Sequence, residues 1–321
     1  MVSGFYVRRE SKMESLRVGV IGVGSMGKNH VRIYSEMRET ELVGIADPMV
    51  PDLKSLAEKY ETSAYKDYKE LLSQGLDAVS IAVPTTMHHK VACDALSKKV
   101  SVLLEKPIAD TVENANRIIK AAGENGCKLM IGHVERFNPI IPVIKREIQN
   151  EDVIMVEIKR VGPLPPRIKD VGVMVDLGVH DIDLIRHLTG SEFEKIYPLI
   201  SSNITEKEDT AIVSFRMKNK TLALLTTDWL TPFKVREINI STKKKFIKGD
   251  FISQKVTEYS KYSADGSYIV KNLAVPAGEP LRLELSSFVR SVREGVNTEV
   301  SGYDGLEALK IALHCLKLSK H

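Results

Sequence analysis

Short aliphatic runs alternate with amphipathic stretches through the first 130 residues. Apolar, β-branched segments at 16–21, 42–46, 78–83, 100–104 and 128–131 predict five strands. The segments between them, 28–37, 53–59, 66–72 and 87–96, predict helices, as does a stretch opened by Asp110 with Glu113 three residues on and stopped by Gly123 and Gly126. Strand and helix in strict alternation imply a parallel sheet covered on both faces. Past Gly132 the pattern changes. Helical stretches at 139–148 and 175–188 flank a strand at 153–161, and strands follow at 210–217, 221–227, 235–241, 246–251, 256–259 and 268–271. Ala211, Val213, Phe215 and Met217 alternate with Ile212, Ser214 and Arg216, which predicts a largely antiparallel sheet with one wetter face. Helices at 283–293 and 304–318 close the chain.

A length of 321 residues favours two domains at roughly 150 residues each. The expected division is an extension at 1–12, a nucleotide-binding unit at 13–133 and a second α+β unit at 134–321, whose last helix can pack back on the first. Residues that are 43% hydrophobic and 27% charged exclude a disordered tail or a fibrous repeat. A net charge of +4, spread along the chain, gives no case for nucleic acid. No stretch approaches the ~20 apolar residues of a membrane span. Arg8 and Arg9 are followed by no apolar run, so the first residues do not read as a secretory signal. Cys93, Cys127 and Cys315 are widely spaced and odd in number, which fits neither a disulfide framework nor a zinc cluster and suggests a reducing cytoplasm. No metal is expected.

Gly22, Gly24 and Gly27, with Ser25 and Met26 between them, form a GxGxxG after a strand and before a helix. Such a turn lets a pyrophosphate approach backbone N–H groups at the helix start. Asp47 ends the second strand twenty residues after Gly27, where a carboxylate can bind both ribose hydroxyls and repel a 2′-phosphate, which favours NAD over NADP. Pro84, Thr85 and His88 follow the third expected strand, and Glu105 and Lys106 end the fourth, so all face the same crevice. A lysine there would stand beside the nicotinamide. If 175–188 is one helix, Asp176 and His180 share a face at i, i+4, and the carboxylate would orient the imidazole as a general base.

The glycine turn, Glu105-Lys106-Pro107, the run from Gly132 through His133, Glu135, Arg136 and Asn138 to Pro139, and the segment from Asp176 to His180 together resemble the glucose-fructose oxidoreductase and inositol dehydrogenase family (Gfo/Idh/MocA). The resemblance runs from Met13 to the end of the chain. It implies an N-terminal Rossmann doubly wound parallel sheet followed by a C-terminal α+β domain with a large, mostly antiparallel open sheet, commonly a subunit interface in homodimers or homotetramers. It implies a cis bond before Pro107, Lys106 as the lysine on the reacting hydroxyl, His180 as acid/base and Asp176 as its carboxylate. The implied reaction is NAD-dependent oxidation of a sugar hydroxyl. Segments around Arg160, Arg167 and Lys169, and around Lys234 and Arg236, are similar to those of members acting on nucleotide sugars such as UDP-N-acetylglucosamine. These five cations, with Arg136 and Asn138, are the expected substrate contacts, since a diphosphate calls for charge-assisted bonds. Inositol or a free aldose is the alternative substrate, and a non-catalytic NAD(H) sensor the alternative of another class.

Overall fold

The computed structural model describes residues 15–164 and 171–319. In the first half, strands β1 (Leu16–Ile21), β2 (Thr40–Ala46), β3 (Ser63–Tyr65), β4 (Ala78–Ile81), β5 (Ser101–Glu105) and β6 (Leu129–Gly132) alternate with helices α1 (Ser25–Glu36), α2 (Leu53–Lys59), α3 (Tyr68–Leu71), α4 (Thr85–Ser97) and α5 (Val112–Asn125). The strands form a parallel sheet ordered β3-β2-β1-β4-β5-β6. Strands β1, β4 and β5 are buried almost throughout, as expected for a sheet with helices on both faces. The chain winds outward from β1 in both directions, and the crevice above β1 and β4 is where such sheets bind ligands.

Beyond Gly132, a single 3-10 turn (Val134–Phe137) leads into α6 (Ile140–Ile148) and β7 (Val153–Pro163). A π-turn (Met174–Gly178) runs directly into α7 (Val179–Thr189). There follow β8 (Phe193–Ser201), β9 (Thr210–Met217), β10 (Leu222–Asp228), β11 (Leu230–Thr242), β12 (Lys245–Asp250), β13 (Lys255–Ser260), β14 (Val270–Leu273), α8 (Pro280–Glu294) and α9 (Gly302–Leu318). The eight strands are ordered β14-β13-β12-β11-β7-β10-β9-β8, antiparallel except for β7 with β10. Helices α6, α7 and α9 cover one face, where Ala211, Val213, Phe215 and Met217 are buried. Tyr197, Leu199, Ile212 and Leu222 stand exposed. Helix α8 packs Leu285 and Phe288 into the core of the parallel sheet. Helix α9 contributes Leu306 and Leu309 to that core and Ala308, Ala312 and Cys315 to the other.

The structure corrects several local expectations. Thr111, not Asp110, caps α5, because it directly precedes the first helical residue and its hydroxyl accepts from the Asn114 N–H at 3.1 Å. Gly123 lies inside that helix, and Gly126, at φ +66°, ends it. The helix expected over 66–72 is a single turn, preceded by the short strand β3. Strand β8 was not foreseen.

Candidate active site

The glycine turn stands at the crevice between β1 and β4. Gly22 adopts φ +85°, and a Cβ there would come within 2.6 Å of the Ala82 carbonyl; one on Gly27 would meet the Gly22 carbonyl at 1.8 Å. Gly24, in contrast, faces open space. No side chain caps α1, so the first amides of the helix are left for an anion. The Asp47 carboxylate holds the turn: Oδ2 accepts from the Val23 N–H at 2.9 Å and Oδ1 from Met49 at 2.8 Å and Val50 at 3.1 Å. A carboxylate has about four lone-pair sites, so with three taken by these amides one remains for a ribose hydroxyl. A cradle open at Gly24, an uncapped helix and an ionisable side chain at its rim fit a dinucleotide. Pro84 and Thr85 open α4 across the crevice, again with no side-chain cap.

His88 does not face the crevice. It is 1% exposed, with Nδ1 2.8 Å from the Pro107 carbonyl and Nε2 3.0 Å from that of Val83. It therefore ties the β4 turn to the loop after β5, and burial lowers its pKa. Glu105 is likewise internal: Oε1 lies 3.2 Å from His30 Nε2 and Oε2 accepts from the Lys106 N–H at 3.2 Å. Burial works against its charge, but His30 and Lys106 hold its pKa below the usual value. Both residues shape the cofactor wall without reaching into it.

The Lys106–Pro107 peptide is cis. Lys106 Nζ crosses to the second half of the chain and donates to the Asp176 carbonyl at 2.6 Å and to Oδ1 at 2.9 Å. The expected Asp176–His180 hydrogen bond is absent among the described residues. The π-turn puts extra residues into the turn that carries Asp176, so the i, i+4 register of an α-helix does not apply and the carboxylate goes to Lys106 instead. His180 is 8% exposed, and its Nδ1 is sealed from solvent without a partner. Burial, then the charges of Lys106, Arg160 and Arg236, hold its pKa well below that of free histidine. A neutral imidazole beside an ammonium is the result.

The expected substrate contacts divide. Arg160 is fully buried between Asp181 (Nε to Oδ1, 2.8 Å) and Glu135 (Nη1 to Oε1, 2.7 Å). Arg136 is bound to Asp183 at 2.5 Å and Asp304 at 3.1 Å. Asn138 donates to the Phe251 carbonyl at 3.0 Å and accepts from Ile140 at the start of α6. All three are committed within the protein, because the carboxylates and carbonyls that claim them come from distant segments. Lys234 is exposed, and Arg236 is half-buried, touching Glu135 at 3.3 Å beside the site. Arg167 and Lys169 lie outside the described residues. One residue that the sequence reading passed over is His133, which ends β6 and sets its ring edge-on to His180 with centroids 5.9 Å apart. Its position at the end of a parallel strand, on the ligand side, was the available signal.

A doubly wound sheet with an open glycine cradle and a lysine and histidine converging at its rim defines a nicotinamide-dependent oxidoreductase. Residues 16–133 match the oxidoreductase family with an NAD-binding Rossmann fold, and 152–248 match the GFO/IDH/MocA C-terminal domain; the chain belongs to the Gfo/Idh/MocA family. It is 29% identical over 305 residues to UDP-N-acetylglucosamine 3-dehydrogenase of Acidithiobacillus ferrooxidans, covering 94% of this chain and 96% of that protein. A solved structure of that enzyme superposes with a TM-score of 0.88 at 28% identity, over 96% of this chain and 98% of that one. Myo-inositol 2-dehydrogenase of Thermotoga maritima is 25% identical, covering 92% of this chain and 93% of that protein. Among the described residues no helix is long and apolar enough to cross a membrane.

Proposed function

We propose that the chain oxidises a ring hydroxyl of a nucleotide sugar with NAD, and that UDP-N-acetylglucosamine, oxidised at its 3-position, is the substrate. The observation that carries the reaction is the meeting of Lys106 with Asp176 one turn from His180. The choice of substrate is supported by the likeness to the Acidithiobacillus enzyme. Lys234, Arg236, Arg167 and Lys169 are proposed to meet the diphosphate.

Bound NAD supplies the acceptor for hydride. His180 takes the hydroxyl proton, and it is suited to do so because burial and neighbouring cations keep it neutral. Lys106, steadied by Asp176, hydrogen-bonds the same oxygen as it becomes a carbonyl. Gly24, Ser25, Met26 and Gly27 offer backbone to the pyrophosphate, while Asp47 selects the unphosphorylated ribose and hence NAD over NADP. The enzyme is proposed to work in the cytoplasm as a homodimer or homotetramer, joined through the open sheet face that exposes Tyr197, Leu199, Ile212 and Leu222. A monomer mass by light scattering would refute that assembly.

NAD⁺ reduction measured in parallel with UDP-N-acetylglucosamine, UDP-glucose, myo-inositol and glucose tests the reading. Turnover of the UDP sugars with competitive inhibition by UDP is expected. Turnover of myo-inositol alone would favour the second reading, which the Thermotoga relative supports. Absence of NAD⁺ reduction with every one of these sugars would leave a dinucleotide sensor.

A further inference from the structure

Two imidazoles at the back of the cleft leave three buried ring nitrogens without a hydrogen-bond partner: both of His133, and Nδ1 of His180. Buried polar atoms in native proteins are nearly always paired with protein or ordered water. The two rings stand edge-on at 85° with centroids 5.9 Å apart, too far for a direct bond between their nitrogens. We propose that His133 is the positioning residue that takes over the substrate proton from His180, through one water bridging His180 Nδ1 and the His133 ring. This rests on the assignment of His180 as the base.

The charges around the two rings explain why a second ring is useful. Burial, then Lys106, Arg160, a charged His133 and Arg236, all oppose protonation of His180. Burial opposes a charge on His133 too, but this ring faces Asp183 on α7 and Asp304 on α9, which favour a charged ring, against Arg136 on the 3-10 turn and Lys106 after β5. A proton abstracted by His180 is thus drawn onward to the ring with carboxylates behind it. The substrate O–H breaks as its proton joins Nε2 of His180. The Nδ1–H of His180 then breaks toward the water, which gives a proton of its own to His133. The two electrons of the substrate C–H bond leave with the hydride for NAD, so one proton and one hydride account for the oxidation.

Imidazole ¹⁵N NMR of the full chain over a pH series, with and without His133→Phe, tests the coupling without cofactor or substrate. Loss of the relay should lower the His180 midpoint by about one pH unit or more, whereas removal of the His133 charge alone would raise it. With whichever sugar turns over, kcat should fall by roughly 10- to 100-fold while KM and NADH affinity hold. An unmoved His180 midpoint, or a kcat within about twofold of the natural protein's, overturns the proposal. Should His133→Phe not fold, the natural enzyme's proton inventory in H₂O/D₂O mixtures decides: a curved plot supports two protons in flight, and a linear one overturns the relay. His180→Ala with unaltered turnover would instead sink the assignment of the base.

Discussion

Lys106 Nζ lies 2.9 Å from Asp176 Oδ1 and 2.6 Å from the Asp176 carbonyl, although the two residues are 70 positions apart. The pair pins the loop after β5 to the π-turn ahead of α7. Lys106→Ala should lower kcat by at least roughly 10²-fold, the effect of removing one aimed donor, with NADH affinity little changed. Asp176→Ala should lower it less, by letting the ammonium wander. Steady-state kinetics alongside NADH fluorescence titration check both, and equal losses in binding and turnover would contradict the assignment.

His180→Ala should cut turnover by roughly 10²- to 10⁴-fold, the usual contribution of a positioned base. The loss should be largest above the His180 midpoint, where the natural imidazole is neutral, and shrink below it, where protonation already disables the base.

Asp47 serves both the Val23 amide and the proposed ribose. Asp47→Ser should weaken NADH by about tenfold, the worth of one charge-assisted hydrogen bond, and narrow the preference over NADPH. Parallel titrations with the two dinucleotides measure it; an unchanged ratio would show that the carboxylate only holds the turn.

Arg160→Ala would strand Glu135 and Asp181, the latter already pushed up to about 6 by burial. Breaking a buried ion pair this way costs about 3–5 kcal/mol. A large fall in Tm is expected. A raised KM with Tm intact would restore a direct role in substrate binding.

Burial lowers the pKa of His88, His133 and His180, and holds His187 at about 4. Each folded value lies below the unfolded value of about 6.5, so below that pH the unfolded chain takes up protons that the folded chain refuses. Stability should therefore fall as pH drops from about 7 toward 5. Glu284 runs the other way: burial and Glu105 raise its pKa well above the usual value, and its contribution is lost as pH rises through the folded value. Melting curves of Glu284→Gln and the natural protein should separate at pH 8 in favour of the variant and converge below about pH 4.5.

Five strands of the parallel sheet were legible because their runs are mostly apolar and end where glycine or charge begins, whereas β3, only three residues long, was not. The antiparallel half was legible where alternation is clean, as in β9. Lys195 and Pro198 hid β8. The meeting of Lys106 with the 176–180 segment was foreseen as a convergence, but its internal geometry was not, since a π-turn has no marker in the spacing of Asp176 and His180. Arg136 and Arg160 were read as substrate contacts because nothing local reveals Asp183, Asp304, Glu135 or Asp181 as their partners. Those pairings belong to the tertiary fold.

Helix α9 is seated at one end among the residues of the nucleotide-binding half and at the other beneath the broad sheet. It works as a splint across the joint. Swinging the halves apart would lift one end of it from its bed and expose the apolar side chains seated there.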